Sequence, residues 1–408
     1  MATRPTILRR STIRTGLRRV FGAAQARSRL AAVVLGTIAL AGCDPAALTS
    51  GGGSGPRIDP GQAVPVALLV PGGAGGDGAV SRSLENAARL AAADLDGVAI
   101  DLRTYPTGGT AGGAQAAATR ALNDGARIFV GPLYAEAANA AGRVAAAQGV
   151  NVLAFSNNPA IAGGNVFILG TTFDTIASRL TSFAERQGRR NILVVSADTT
   201  AEQVARDAIL RAASGNRANV VGNLSFQLSE AGIRGVAPRI AQDVAATGAD
   251  AIFFTSTNAG AMAFLPQYLR EAGVTSQTAQ FIGISRLDIP PQAVSQPGIQ
   301  GAWFALPDPG VYNSFRSRYQ QAYGAAPHPL AGLAYDGVAA IGALVDRRGA
   351  SALTRGALTT GSGFAGVTGV YRLRPDGTNQ RGLAIAQIRN NQVSVIDPAP
   401  RSFSGPGF

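Results

Sequence analysis

The chain has 408 residues, of which 46% are apolar and 15% are charged, so it can bury a large core and is not a disordered polypeptide. Arginine supplies all 36 basic residues, and eight of these lie before residue 30, where there are no acidic residues. Without those eight, 28 basic residues face 24 acidic ones, and no cluster of them would follow a phosphate backbone. The composition therefore argues against nucleic-acid binding.

The first 42 residues have the organisation of an export signal. An arginine-rich stretch precedes the apolar run LAAVVLGTIALAG (30–42), which has the length of a signal-peptide core and is short for a membrane span. A short transmembrane anchor or a buried helix is the alternative. We expect residues 1–42 to be a cleaved signal peptide.

Cys43 is the only cysteine, and it directly follows the apolar run. The sequence Leu40-Ala41-Gly42-Cys43 resembles a bacterial lipobox, in which the thiol is acylated and becomes part of the first residue of the mature chain. A buried apolar cysteine, a nucleophile and a dimer-forming thiol are the alternatives. The resemblance implies a periplasmic protein that is anchored to a membrane by lipid on Cys43.

After Cys43 the sequence indicates a linker and then a folded region. Residues 43–63 are rich in glycine, proline and serine, which predicts a flexible tether. From Val64, short apolar runs alternate with longer segments of helical periodicity. The runs VPVALLV, VAIDLRTY, RIFVG and NVLAF predict four strands before residue 156. Such alternation is typical of α/β folds with a parallel sheet between helices.

A second series of the same kind begins at residue 191. Strands are predicted at 191–197, 219–226, 250–256 and 280–285, with helices between them. The helix between the last two strands has its apolar positions between 261 and 272. Two helices over 312–324 and 329–347 follow. The chain then ends in hairpins that turn at Pro375-Asp376-Gly377 and Asn390-Asn391-Gln392. The pattern predicts a second α/β lobe.

Four stretches resemble the Leu/Ile/Val-binding branch of the type I periplasmic binding proteins. They are VGPLYAEAANA (130–140), VFILGTTFDT (166–175), LAYDGVAAI (333–341) and FAGVTGVYRLRPDG (364–377). The last is similar to the family's Phe-x-Gly-x-x-Gly pattern, which a strand and an Asp/Asn-Gly turn follow. The likeness covers about residues 64–397 and implies two doubly wound parallel-sheet lobes joined by three crossings.

The resemblance also implies a domain organisation. We place the three crossings near residues 171, 285 and 362. The predicted segments are lobe one at 64–171 and 285–360, lobe two at 172–284 and 361–397, and a tail at 398–408. In this fold a ligand lies in the crevice at the carboxyl ends of the strands, and hinge motion closes the lobes over it.

The candidate cleft residues come from both predicted lobes: Tyr134, Ser156, Asn157, Ser285 and Arg286 from the segments of lobe one, and Thr199 and Thr200 from lobe two. Hydroxyls and backbone N–H groups at a helix N-terminus suit a carboxylate, although Ser156 and Asn157 are equally expected in an ordinary turn. Arg286 stands where amino-acid receptors of this branch carry the acid that meets the ligand's ammonium. An arginine there favours an anion unless Asp288 compensates for it, so a leucine-like ligand is not expected.

The sequence shows no catalytic set. His328, the only histidine, lies between two prolines without an evident partner, and we expect it in a surface loop. The glycine-rich loop PGGAGGDGA (71–79) lacks the Gly-Lys-Ser/Thr ending of a phosphate-binding loop. Trp303 is more typical of a core or a cleft wall than of a cofactor platform. We expect no enzymatic activity, no metal and no cofactor.

Two functions remain open. A lipobox, a tether and a cleft without the amino-acid set are similar to the penicillin-binding protein activators, which stimulate a peptidoglycan synthase; this is the main hypothesis. The alternative is the receptor of an ABC importer for amino acids or a related small polar solute, with an ABC permease as partner. Asp44 favours the inner membrane and thus the importer, while the altered cleft favours the cell-wall partner. The sequence leaves the choice of membrane open.

Overall fold

The computed structural model describes residues 55–404, which contain fifteen β-strands and ten α-helices. The predicted signal peptide, Cys43 and the first part of the predicted tether lie outside the described residues. Among the described helices, none has both the length and the hydrophobicity required to cross a bilayer.

The first lobe is built on a five-stranded parallel sheet of order β2-β1-β3-β4-β5. Its strands are β1 (Val64–Val70), β2 (Ile100–Pro106), β3 (Ile128–Val130), β4 (Asn151–Ala154) and β5 (Val166–Ile168). Its helices are α1 (Gly75–Ala93), α2 (Ala111–Asn123), α3 (Ala135–Ala146), α8 (Pro309–Tyr323), α9 (Ala331–Arg348) and α10 (Arg355–Leu358). Successive side chains of β1 enter different cores: Val66 and Leu68 pack with α1 and α9, and Ala67 and Leu69 pack with α2 and α3. Both faces of the sheet are therefore covered.

The second lobe repeats this construction on a seven-stranded sheet of order β15-β14-β10-β9-β8-β6-β7. Its strands are β6 (Asn191–Ala197), β7 (Asn219–Phe226), β8 (Ala251–Phe254), β9 (Gln280–Gly283), β10 (Trp303–Leu306), β14 (Ala384–Arg389) and β15 (Gln392–Asp397). Its helices are α4 (Phe173–Arg186), α5 (Thr200–Gly215), α6 (Glu230–Thr247) and α7 (Leu265–Glu271). Strands β6 to β10 are parallel, and β14 and β15 are antiparallel additions. The predicted α/β class with two doubly wound parallel-sheet lobes is confirmed.

A third, three-stranded antiparallel sheet accompanies the last crossing. It consists of β11 (Phe364–Gly366), β12 (Gly369–Leu373) and β13 (Asn379–Arg381), and we call residues 364–381 the hinge hairpin. Its turn contains Gly377 at φ 82°. The β14–β15 turn has Asn390 and Asn391 at φ 52° and 61°, as a two-residue hairpin loop requires. Both turns lie where the sequence predicts them.

Two of the predicted lobe boundaries are wrong. β10 pairs with β9 through Trp303–Ile282 and belongs to the second lobe, so the second crossing follows Leu306 instead of lying near 285. The hinge hairpin, predicted within lobe two, contributes Phe364 and Tyr371 to the core that contains α1 and α9. β10 is only four residues long, and a short apolar run does not reveal which sheet it joins.

Two local expectations also change. The helix predicted from the apolar spacing at 261–272 is confined to Leu265–Glu271, since Pro266 lacks an N–H and fits only a first helical turn. The predicted tether does not extend to residue 63 as free chain. Ile58 packs against the first-lobe core, and its N–H donates to the Ala350 carbonyl over 3.2 Å.

Candidate functional site

A cavity of about 610 Å³ lies at the carboxyl ends of β3, β4 and β5. Three of the predicted site residues, Tyr134, Ser156 and Asn157, line it. The first two crossings reach it through Thr171 and Pro307, and the hinge hairpin reaches it through Thr368. The cavity therefore occupies the edge of the first lobe where the two lobes are joined, the position that open parallel sheets use for ligands.

Two glycines let the loops of this cavity approach each other closely. Gly131 follows β3 at φ 90°, and a Cβ there would lie 2.1 Å from the Leu69 carbonyl oxygen. Gly170 follows β5, and a Cβ there would lie 2.5 Å from the Ser156 carbonyl oxygen. Any side chain at either position would push the loops apart, which fixes the geometry of the cavity at its base.

One end of the cavity is polar. Tyr134 is the N-cap of α3, and its side chain makes no capping hydrogen bond, so among the described residues the first N–H groups of this helix have no side-chain acceptor. Ser156 is only 5% exposed; its hydroxyl oxygen accepts from the Asn158 N–H over 3.1 Å, and its own proton remains available. Asn157 is exposed beside it. These groups are donors suited to a ligand oxygen.

A hydrogen bond to α1 holds the Tyr134 side chain in place at the polar end of the cavity. Its hydroxyl donates to Asp77 Oδ1 over 2.6 Å, and this hydrogen bond raises the pKa of Tyr134. The ring remains 40% exposed. Tyr134 thus presents an aromatic face at the cavity edge in a fixed orientation.

The rest of the cavity wall is mainly apolar. Val80 of α1, Leu133 and Phe155 of the strand-end loops, and Leu330 and Leu333 at the start of α9 line it. The described residues that line the cavity include no acidic side chain. The wall chemistry matches a small molecule with one polar, oxygen-rich end and an apolar body.

The other four predicted residues, which all belong to the second lobe in the structure, do not line this cavity. Thr199 is the N-cap of α5, where its hydroxyl oxygen accepts from the Glu202 N–H over 3.4 Å, and Thr200 begins the same helix. Ser285 and Arg286 follow β9. The Arg286 guanidinium is paired with Asp288 through two hydrogen bonds of 2.6 and 2.5 Å. Asp288 therefore does neutralise Arg286, the alternative that the sequence left open.

Glu202 is an acidic residue of the second lobe that sequence reasoning missed. Its Oε2 accepts hydrogen bonds of 2.7 Å from the Ala197 N–H, the Thr255 hydroxyl and the Ser256 hydroxyl. It thereby joins the carboxyl ends of β6 and β8 to the first turn of α5. The signal in the sequence is the Thr199-x-x-Glu202 spacing of a capping box.

Trp303 and His328, which the sequence analysis also considered, make packing and hydrogen-bond contacts within the fold. Trp303 is 7% exposed in β10, with its ring centroid 4.9 Å from that of Phe183 in an edge-to-face contact. His328 is half-buried, and its Nδ1 accepts from the Leu330 N–H over 3.2 Å. No cluster of metal-ligating side chains occurs within residues 55–404.

A second cavity of about 460 Å³ lies between α4, α5 and the hinge hairpin. It contains none of the predicted residues, and its charged side chains include Asp174 and Arg211, which pair with each other over 2.7 Å. We place the functional site at the larger cavity, because that one combines the strand ends with uncommitted donors.

The chain matches a known family over most of its length. The sequence pattern of the Periplasmic binding protein family covers residues 63–392, so the chain belongs to this family. No curated protein matches the chain.

Solved structures share the fold at low sequence identity. A putative branched-chain amino acid ABC transporter from Rhodospirillum rubrum is 21% identical, with a TM-score of 0.71 over 82% of this chain and 99% of that one. A branched-chain amino acid transporter substrate binding protein from Streptococcus pneumoniae, in complex with isoleucine, is 16% identical, with a TM-score of 0.58 over 83% and 100%. A solute binding protein of an ABC transporter from Rhodopseudomonas palustris, in complex with 3,4-dihydroxy benzoic acid, is 16% identical, with a TM-score of 0.59 over 85% and 99%. The fold is that of type I periplasmic binding proteins.

Proposed function

We propose that this protein is the solute-binding receptor of an ABC importer. The observation that carries the proposal is the cavity at the strand ends of the first lobe, which has uncommitted donors at one end and an apolar wall elsewhere. Family membership and neighbours described as transporter components support the same function. These neighbours do not support the hypothesis of a penicillin-binding protein activator, which stays a prediction.

The proposed ligand is a small organic carboxylate with an apolar body. Its carboxylate would meet the Ser156 hydroxyl and the first N–H groups of α3, and its body would lie against Leu133, Phe155 and Leu333. Isoleucine and 3,4-dihydroxybenzoic acid, the ligands of two fold neighbours, both carry a carboxylate. An amino acid would also need an acceptor for its ammonium, for which Glu202 is the candidate in the second lobe.

The proposal places the protein in the periplasm, where lipid on Cys43 would hold it at a membrane. This lipid anchor rests on the lipobox resemblance alone. A receptor of this kind works without enzymatic activity, since the importer's ATPase subunits drive transport. Its partner is then a permease in the inner membrane, which agrees with Asp44.

Affinity capture from membranes tests the partner. We expect the tagged full-length protein, after mild crosslinking, to recover the permease and ATPase subunits of an importer. A Cys43→Ser variant serves as the control for the lipid anchor, and we expect it to be released from the membrane fraction. Recovery of a peptidoglycan synthase without importer subunits would overturn the proposal in favour of the cell-wall hypothesis.

A further inference from the structure

A buried ion pair links α9 to the hinge hairpin beneath the cavity. Asp336 Oδ2 and Arg381 Nη1 are 3.4 Å apart, and both side chains are at most 1% exposed. The Asp336 carboxylate also accepts from the Val367 N–H over 2.6 Å and from the Thr368 hydroxyl. Buried pairs contribute little net stability because desolvation opposes them, and their best-attested role is to select one arrangement of the chain.

The other end of this network holds the first crossing. Arg381 Nε and Nη2 donate to the Leu169 carbonyl oxygen over 2.9 and 2.6 Å. Asn379 Nδ2 donates to the carbonyl oxygens of Ile168 and Gly170, each over 2.8 Å. Three consecutive carbonyls are thus bound by the hinge hairpin. Gly170 and the next residue, Thr171, line the cavity together with Thr368.

Two residues after Arg381, at Leu383, the chain is attached to the second lobe. The Leu383 carbonyl oxygen accepts from Arg179 Nε over 2.7 Å. Arg179 belongs to α4, is 4% exposed, and also pairs with Asp397 over 2.9 Å. From Ala384 the chain is part of β14 in the second-lobe sheet. Gly382 lies between Arg381, which the first lobe holds, and Leu383, which the second lobe holds. The Gly382 N–H still donates to the Val370 carbonyl oxygen of the hinge hairpin over 2.8 Å, so the attachment changes on the carboxyl side of Gly382.

We propose that Asp336 and Arg381 are positioning residues that make the hinge hairpin a rigid part of the first lobe, so that the third crossing bends at Gly382. Lobe motion then leaves Gly170, Thr171 and Thr368 in fixed places on the cavity wall. The proposal deepens the proposed function, because it specifies which part of the ligand site moves and which part stays fixed.

Spin-label distances in the full chain test this without any ligand. In a Cys43→Ser background, one label pair joins the hinge hairpin to the first lobe (Arg374→Cys with Ala116→Cys), and a second joins it to the second lobe (Arg374→Cys with Arg239→Cys). All three labelled positions are exposed. We expect a single narrow distance for the first pair and a distribution at least twice as wide for the second.

Two variants then disturb the network. Asp336→Asn removes the charge partner of Arg381, and Thr368→Val removes the hydroxyl oxygen that accepts a hydrogen bond from Arg381 Nη1. The nearly isosteric Thr368→Val decides the test if Asp336→Asn does not fold. We expect either to widen the hairpin–first-lobe distribution at least twofold, while Asp174→Asn, in the exposed pair with Arg211, leaves it unchanged. A wide first-pair distribution in the background, or unchanged widths in folded variants, overturns the proposal. Failure to bind any solute would instead contradict only the receptor function.

Discussion

The single histidine gives a direct check of the loop that borders the cavity. Burial lowers the pKa of His328, whose Nδ1 accepts the Leu330 N–H and so favours the neutral ring. Because the folded-state pKa lies below the unfolded value of about 6.5, the associated stability is present above that pH and is lost as pH falls through the folded-state pKa. We expect an NMR titration of the His328 ring to give a pKa below 6.5. A value of 6.5 or higher would contradict the packing of this loop.

Gly366 tests the close contact between the hinge hairpin and α9. A Cβ at this position would lie 2.4 Å from Asp336 Oδ1, in a site with no room to move. We expect Gly366→Ala to destabilise the protein by about 1–3 kcal/mol, the usual effect of overpacking, as measured by urea unfolding. The matched control is Gly356→Ala in α10, where a Cβ would meet no other part of the described fold within 4 Å and little change is expected. Equal stability of the two variants would show that the contact is looser than described.

At the scale of elements, Glu202 fixes the start of α5 to the ends of two strands. Glu202→Gln replaces a charged acceptor of three hydrogen bonds by a neutral amide, so we expect a loss of about 1–3 kcal/mol in the free energy of unfolding. Glu230→Gln, in the first turn of α6, is the control, because Glu230 is 83% exposed and its ion-pair partner within residues 55–404 is the exposed Arg234. A Glu202→Gln effect no larger than that of the control would contradict this role.

The elements themselves are the part of the fold that the sequence predicts well. Buried parallel strands such as β1 and β6 are short apolar runs, and the helices between them keep one-sided apolar spacing. Membership of a lobe is harder to predict. β10 joins β9 through partners about twenty residues away, and the hinge hairpin packs on α9 through tertiary contacts that no local pattern encodes.

In the candidate site, too, the sequence predicts residues at strand ends but not the tertiary contacts between side chains. Tyr134, Ser156 and Asn157 are predictable because they follow strands whose carboxyl ends lie at one edge of a parallel sheet. The partners of Arg286 and Glu202 are side-chain contacts that only the folded chain brings together. Glu202 meets Thr255 and Ser256 across more than fifty residues of sequence, so its place between β6 and β8 was not visible.

At the scale of the whole molecule, the proposed ligand binding depends on the two lobes, the crossings and the cavity together. Each sheet is covered on both faces, which leaves the strand ends as the place where polar groups are free for a ligand. The cavity joins a donor-rich end to an apolar wall, and the crossings border it. The central claim is therefore that this chain binds a small carboxylate.

Calorimetric titration of the full chain with small carboxylates tests that claim most directly. The panel contains branched-chain amino acids, and hydroxylated and plain aromatic acids. We expect at least one member to bind at one site per chain, to stabilise the protein by about 2.7 kcal/mol at 100 times its Kd, and to bind at least tenfold more weakly to Ser156→Ala. Absence of binding heat and of any shift in the unfolding transition across the panel would contradict the account.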